Sequence, residues 1–504
     1  MMPDKDSFIK GEGTCFPGKT YVEQLLRPVF NDQRDFLFKQ MFEIHRAHVV
    51  MLTEQSILDK KEAGHILKAV EKVAKIDCRK LEYDPQFEDL FFMMEHRISS
   101  EIGPELAGNI HIARSRNDMG VAMYRLVLRN HILNLIQSSQ LLADALLEQI
   151  HKHAETIMTA YTHTQPAQPT TLGHYLTAIF DVLIRDLKRL WSAYDTVNRS
   201  PLGAAALSTT GFPINRKRVC ELLGFHDLVE NSYDSIAGAD YLLESATSVL
   251  TMMVNCGRWI QDFLQLATRE FGLVRVADPY VQISSIMPQK RNPVSIEHSR
   301  SLASSSAGEA TAAIQMIHNT PFGDIVDTED DLQPHLYRSF EKANRVIHLM
   351  HAVIRTMEVD KEAALNRAKT GCITITELAD ILTREKQVPF RLAHQIASTI
   401  ANECTLCNIE LSDLPLKRAN EIITKNANAL LTQQEWNRAV CPIDFVNRRT
   451  IQGGPNPDEV RRMADERGKE LMNSKNRFKK EITRLKEAKN GLNEAVKRLI
   501  NENK

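Results

Sequence analysis

The chain has 504 residues, with 63 Lys or Arg against 64 Asp or Glu and a net charge of −1, a balance that gives no general reason to expect nucleic acid or a charged membrane surface as a partner. A hydrophobic fraction of 43% with 25% charged residues argues against a wholly disordered chain, and no run reaches the ~18 apolar residues of a membrane span. The length exceeds the ~250–300 residues at which single cores stop growing, so two or three domains or one elongated unit are expected.

From the N-terminus, Met1-Met2-Pro3-Asp4-Lys5-Asp6 lacks the apolar core of a signal peptide. The eight cysteines are scattered, which suits a reduced, cytoplasmic protein. Gly13-Thr14-Cys15-Phe16-Pro17-Gly18-Lys19-Thr20 fits the phosphate-binding loop pattern literally. A working loop of that kind follows a buried strand and opens a helix. The preceding residues are mostly polar, with Phe8-Ile9 as the one candidate strand, so no nucleotide site is expected.

Further along, proline is absent from Glu105 to Gln165, from Ile214 to Asp278 and from His335 to Val388. These are windows in which helices can run. Leu128, Ile132, Leu135, Leu142 and Leu146 recur at helical steps, as do Ala246, Val249, Leu250, Met253, Ile260, Phe263, Leu264 and Ala267. Alternation with period two is scarce. The fold class expected is therefore mainly all-α, with long helices that need a bundle, and other subunits, to cover their stripes. Breaks place the borders at 1–113, 114–365 and 366–504. Cys404-Thr405-Leu406-Cys407 has no second ligand pair nearby and reads as structural, without metal. From Lys475 to Lys504 the chain carries ten Lys/Arg against four Asp/Glu. Ile482, Leu485, Leu492, Val496 and Leu499 fall on heptad positions, with Lys489 on the seam. A short coiled coil, a packed terminal helix and a solvated, frayed helix all remain open.

Three segments carry chemistry. In His111-Ile112-Ala113-Arg114-Ser115-Arg116-Asn117-Asp118, arginines, a serine and an asparagine precede a long helix. Arginine meets a carboxylate with paired donors, and a helix start favours an anion. An N-capping turn on a charged surface is the plainer alternative. In Tyr161-Thr162-His163-Thr164-Gln165-Pro166-Ala167-Gln168-Pro169, His163 sits in a proline-bounded polar turn, where it can move protons near neutral pH or serve structure alone. The third segment is Ser284-Ser285-Ile286-Met287-Pro288-Gln289-Lys290-Arg291-Asn292-Pro293, continuing to Glu297.

In this order and at these spacings, the three segments resemble the fumarase/aspartase superfamily. Arg114-Ser115-Arg116-Asn117-Asp118 is similar to its argininosuccinate lyase branch, as are Pro201-Leu202-Gly203 through Phe212-Pro213-Ile214, and Glu377-Leu378-Ala379-Asp380 with Val388-Pro389-Phe390-Arg391. The resemblance implies a three-domain subunit with a central long-helix bundle, a homotetramer, and active sites drawing on three subunits. It implies a lyase that splits a C–N bond of an N-succinyl compound to give fumarate and an amine, with argininosuccinate as the leading substrate. Ser284 would be the base, its oxyanion stabilised by Lys290 and loop amides. Lys290 and Asn292 would hold carboxylates. Ser115, Arg116, Asn117 and Thr162, with Asp89, would bind substrate. His163, oriented by Glu297, would serve the leaving nitrogen. No metal or organic cofactor is implied.

The amine end departs from that pattern. Phe91 follows Glu88-Asp89-Leu90 where the branch has histidine, and Pro321 through Glu329 replaces a Lys-Asp-Leu-Gln region. A different N-succinyl amine or amino acid therefore stays as the alternative substrate, and an inactive scaffold tetramer as the non-enzymatic one.

Overall fold

The computed structural model describes residues 5–502. Met1 to Asp4 of the polar N-terminus, and Asn503 and Lys504 of the basic C-terminal stretch, lie outside them. An N-terminal group of helices includes α1 (Phe38–Glu54), α2 (Lys60–Val73) and α3 (Leu90–Ile102). The next helix, α4 (Arg116–Lys152), runs for 37 residues, about 55 Å at helical rise. It packs with α5 (Leu172–Val197), α6 (Asp240–Leu266), α7 (Val294–Ile317) and α8 (Leu332–Thr356) as a long-helix bundle.

Local chemistry starts and stops these helices where the sequence expects. Ser115 caps α4 in a reciprocal box with Asp118, while His151 and Lys152 close its negative end. Thr171 caps α5, its hydroxyl accepting from the His174 N–H at 3.0 Å. At Gly173 the two helices meet so closely that a Cβ would sit 2.8 Å from the Ala154 Cα and the Ile150 carbonyl oxygen. Leu128, Ile132, Leu135, Leu142 and Leu146 are all buried, as are Ala246, Val249, Met253, Ile260 and Phe263. Leu250, Leu264 and Ala267 are partly buried at the edge of the same core.

Strand structure among the described residues is confined to two-stranded pairings. The longest is an antiparallel hairpin, β1 (Ile157–Thr162) with β2 (Gln165–Thr171), between α4 and α5. A shorter pair, β3 (Gln282–Ile283) with β4 (Arg291–Asn292), closes the base of the serine loop. No helix among the described residues is long and apolar enough to cross a membrane.

The C-terminal third divides in space. Residues from Leu378 to Ala439 gather round a small core of their own. Beneath it, Glu377 is buried and receives Arg384 at 2.9 Å and Arg449 at 2.7 Å. The chain then turns back into α9 (Pro457–Asn501), whose Val460, Met463, Leu471, Leu492, Val496 and Leu499 join the main core rather than the smaller one. The 366–504 unit expected from sequence is thus two bodies, a lobe and a returning helix.

For the basic terminal stretch, the structure selects the packed helix. Lys475 meets Asp144 of α4 at 2.6 Å, and the Trp191 indole N–H of α5 donates to Ser474 at 2.9 Å. Buried Glu481 accepts from the Tyr194 hydroxyl at 3.1 Å and pairs with His226 at 2.8 Å. Part of the stretch's positive charge thus answers acids of the bundle. Ile482 departs from the heptad expectation at 42% exposed, and Lys489 faces water. Truncating Leu492, at 3% exposure, is expected to cost about 2–5 kcal/mol, whereas Ile482→Ala should change stability little. Urea unfolding of the two variants checks this, and equal losses would refute the packing assignment.

Candidate active site

The serine loop stands on β3 and β4. Arg291 pins its base by pairing with Asp278 and donating to the Val276 carbonyl at 3.0 Å. Within the loop, the Ser284 Oγ accepts from the Met287 backbone N–H at 3.1 Å, with the Ile286 N–H further away at 3.5 Å. Loop amides therefore point at the oxygen that must carry negative charge if this serine is to act as a base. Lys290, Asn292 and Glu297 line an open cavity of about 1220 Å³ together with Gln261, Arg269 and Arg300. Ile286 is 83% exposed and Ile283 74%, an unusual display of apolar surface beside so polar a cavity.

Around the start of α4 a second group of polar side chains is tightly paired. The Ser115 hydroxyl donates to the Asn117 Oδ1 at 2.9 Å. The Asn117 amide donates to Asp324 at 2.7 Å. Arg116 bonds Asp89 at 2.9 Å, lies 3.6 Å from Glu88, and covers the Phe92 ring at 4.8 Å. Both oxygens of Asp89 are engaged, since Oδ1 caps α3 through the Phe92 N–H at 2.9 Å while Oδ2 takes Arg116. Burial pushes its carboxyl up from the ordinary range, against the Phe92 N–H and Arg116.

Thr162 and His163 lie elsewhere. They are exposed at the tip of the β1–β2 hairpin, where His163 and Thr164 take φ of +50° and +62°, the left-handed pair of a tight hairpin turn. The hairpin is braced by the lobe through Gln168 and Thr376. Among the described residues no hydrogen bond or ion pair joins Ser284, His163 and Ser115 to one another, and none joins Glu297 to His163. Within one subunit the structure gives three separate groups. It does not bring together the orienting pair expected from the resemblance.

Asp118, His45 and Glu95 went unread in the sequence, whereas the acids Asp324, Asp327 and Glu329 read there as groups that could meet a cationic leaving amine. Asp118, fully buried, accepts from the backbone N–H groups of Ser115, Gly203 and Ala205. A serine followed three residues later by an acid was the signal, since that spacing closes a capping box. Behind the same turn, buried Arg114 donates to the Nδ1 atoms of His45 and His111, and His111 pairs with Glu95. Burial and Arg114 hold the His111 imidazole down to about 3, while burial pushes Glu95 up to about 7. Asp324 and Glu329 are hydrogen-bonded to each other, and burial together with the Asp324 charge raises the Glu329 carboxyl well above its usual value. Asp327 is exposed, and none of the hydrogen bonds among the described residues ties it to the turn.

The phosphate-loop pattern at Gly13–Thr20 is filled by the chain itself. Helix Lys5–Glu12 precedes it, so Phe8-Ile9 is not a strand. The Glu12 carboxylate takes both the Thr20 backbone N–H and its hydroxyl at 2.7 Å, leaving a negative group where a phosphate would need to sit. Cys404 is buried in the lobe and Cys407 exposed, with no group of three His, Cys, Asp or Glu placed to hold a metal among the described residues.

Comparison with known proteins adds an independent line. A family model described as a lyase matches residues 29–308, and one described as the argininosuccinate lyase C-terminal region matches residues 372–447. The chain is 40% identical over 450 residues to argininosuccinate lyase 2 of Agrobacterium fabrum, covering 88% of this chain and 89% of that protein. It is 35% identical over 482 residues to argininosuccinate lyase of Methanosarcina barkeri, covering 95% and 96%. Among solved structures, EDDS lyase in complex with formate superposes with a TM-score of 0.86 at 31% identity, over 95% of this chain and 97% of that one. A class II fumarase from Schistosoma mansoni shares the fold, with a TM-score of 0.66 at 16% identity.

The Asp324–Glu329 pair can be tested directly. Carbon-detected NMR of labelled carboxyls should show Glu329 titrating well above the usual glutamate range. Asp324→Asn should lower that value by removing the neighbouring charge. An unchanged Glu329 titration in the Asn variant would contradict the pairing.

Proposed function

This chain belongs to the argininosuccinate lyase branch of the fumarase/aspartase superfamily and is a carbon–nitrogen lyase, and from that membership we propose that it eliminates fumarate from argininosuccinate, releasing arginine. The observation that carries the mechanism is the Ser284 oxygen held by the Met287 N–H on a loop that also presents Lys290 and Asn292. The substrate is chosen on the names of the relatives and the match at 372–447.

In this reading, the ionised Ser284 hydroxyl takes a proton from the carbon beside a substrate carboxylate. The electron pair left behind spreads into that carboxylate, whose extra charge Lys290 and Asn292 meet. The pair then returns to form the fumarate double bond as the C–N bond breaks. The leaving nitrogen takes a proton from His163 or from a group that His163 positions, with Glu297 orienting the ring. Ser115, Arg116, Asn117 and Thr162 grip the succinyl half. Asp89 holds the Arg116 guanidinium in place, as its 2.9 Å bond suggests.

The three groups lie apart in one chain, so the site is assembled from three subunits of a homotetramer. Exposed Ile283 and Ile286 on the serine loop, and Val254 on α6 at 53% exposure, give apolar surface for such contacts. Eight free cysteines suit the reducing cytoplasm as its compartment.

A second reading keeps the chemistry and changes the amine. It is favoured by Phe91 at the branch's histidine position, by the acids Asp324 and Glu329 near Asn117, and by the structural likeness to EDDS lyase. Ultraviolet absorbance of fumarate, followed with argininosuccinate and a panel of other N-succinyl amines, decides between them. Product from argininosuccinate supports the first, and product only from another compound supports the second. No product from any would leave a scaffold tetramer.

Ser284→Ala should abolish turnover and leave the oligomer intact by sedimentation; near-normal activity would remove Ser284 as the base. Mixing Ser284→Ala subunits with Asn117→Leu subunits should restore part of the activity, because some assembled sites then receive both wild-type segments. Absence of any recovery in demonstrably mixed oligomers argues against a shared site.

A further inference from the structure

The turn Ser115–Asn117 grips the succinyl half in the reading above, and the group that fixes the turn is a different residue. Asp118 has no exposure. Its Oδ1 accepts from the Ser115 backbone N–H at 3.1 Å. Its Oδ2 accepts from the Gly203 N–H at 2.9 Å and the Ala205 N–H at 3.1 Å. One carboxylate therefore ties the start of α4 to a loop 85 residues away.

The loop is built to meet it. Gly203 takes φ of +86°, open to glycine, and Ala205 takes +52°, a left-handed conformation that a residue with a Cβ adopts where something holds it. On the far side, Arg216 holds the same loop through the Leu202 carbonyl at 2.9 Å and ties it to the Val229 carbonyl of a later segment at 2.9 Å. A Cβ at Gly203 would lie 2.6 Å from the Arg216 Cγ, so the loop has no slack there. The charged groups facing Asp118 are Arg114 on the preceding turn and Arg216 beyond the loop.

We propose that Asp118 is a positioning residue for the C–N cleavage, locking the Ser115–Asn117 turn to the 201–213 loop so that the Ser115 hydroxyl and the Asn117 amide meet substrate in one fixed geometry. This rests on the reading that the turn binds the succinyl half. Only an ionised carboxylate serves, because it is acceptor-only on both oxygens. An asparagine places its NH2 against an N–H donor whichever way it is turned, freeing either the Ser115 turn or the loop. Protonation does the same to aspartic acid. Burial pushes this carboxyl up to about 6, against its three N–H donors and Arg114. The lock is therefore closed above that value and opens as pH falls through it.

The test is steady-state fumarate formation from argininosuccinate by the full-length wild type, Asp118→Asn, Ser115→Ala and the double variant. Loss of grip predicts a KM raised about tenfold or more in Asp118→Asn with kcat changed less than about threefold. Because Asp118 acts in part through Ser115, the loss in the double variant should be smaller than the sum of the two single losses. The wild-type KM should rise between pH 7 and 5, and that rise should be missing from Asp118→Asn. A normal KM in Asp118→Asn, or additive losses in the double variant, overturns the lock. If the Asn variant does not fold, a wild-type KM that stays flat from pH 7 to 5 overturns it instead. No fumarate from the wild type with any N-succinyl compound removes the lyase reading and the lock together, whereas fumarate with a normal KM in Asp118→Asn removes the lock alone.

Discussion

Enclosure of the helix Arg116–Lys152 is the constraint on which the rest of the structure depends. Of its 37 residues, 24 are buried, and a polar side chain on its buried side has no water to satisfy it. Each polar side chain it carries inward must find partners in a neighbouring element, and those partnerships set where the neighbours lie. Arg125 takes the Thr196 carbonyl at 2.8 Å and lies over the Tyr241 ring at 3.9 Å. Arg129 collects the Asn198 side chain at 3.1 Å and the Leu223 and Gly224 carbonyls at 3.1 and 3.0 Å. Arg125 thus closes the C-terminal end of α5, and Arg129 the end of the short helix Arg216–Leu222, where a helix leaves its last carbonyls unpaired and favours cations. Asp118 performs the matching task at the other end, with a carboxylate facing N–H donors.

Ser115, Arg116 and Asn117 occupy the first turn of an enclosed helix, and their neighbours Asp89, Glu88 and Asp324 already supply negative partners. In the proposed reading, a succinyl carboxylate competes with Asp324 for Asn117 while Asp89 keeps Arg116 in place. In that reading, a cationic group arriving with it would meet the displaced Asp324, and the two halves of a substrate with a positively charged amine would be recognised jointly. Asp324 and Glu329 extend that acidic surface, and the partial neutralisation forced on Glu329 by burial is what a nearby cation relieves.

How much was legible in sequence follows from the range of each interaction. Helical stripes such as Leu128–Leu146 depend on period alone and read correctly, because burial on an enclosed helix repeats every turn. The serine loop read as chemistry because Ser284, Lys290 and Asn292 crowd into nine residues between prolines, and the structure places them on one exposed loop with the amides turned toward Ser284. What did not read was pairing at a distance. Nothing near Asp118 announces Gly203 and Ala205 as partners, and nothing near Asn117 announces Asp324. The return of α9 to the main core was also hidden. Its heptad stripe fits a coiled coil as well as a groove on the bundle, and only the acids Asp144 and Glu481 at matching positions decide for the groove.

The carboxyls around the first turn of α4 share a direction, and it has a consequence for stability. Asp118 is raised to about 6 and Glu95 to about 7, with Glu329 raised as well, each mainly by burial. A carboxyl raised in the folded state adds stability that is fully present below its unfolded value and is lost as pH rises through the folded one. These three groups therefore favour the fold in mild acid and oppose it at neutral pH, the reverse of paired acids such as Glu481, which His226 and Arg484 hold down to about 2 against its burial. Asp118, Glu95 and Glu329 thus sit round the first turn of α4 with raised carboxyls, while Glu459 and Glu481 of the returning helix are held down to about 2. Ionised Asp118 holds the turn through its three backbone N–H donors, and the long helices supply the stability that its ionisation removes.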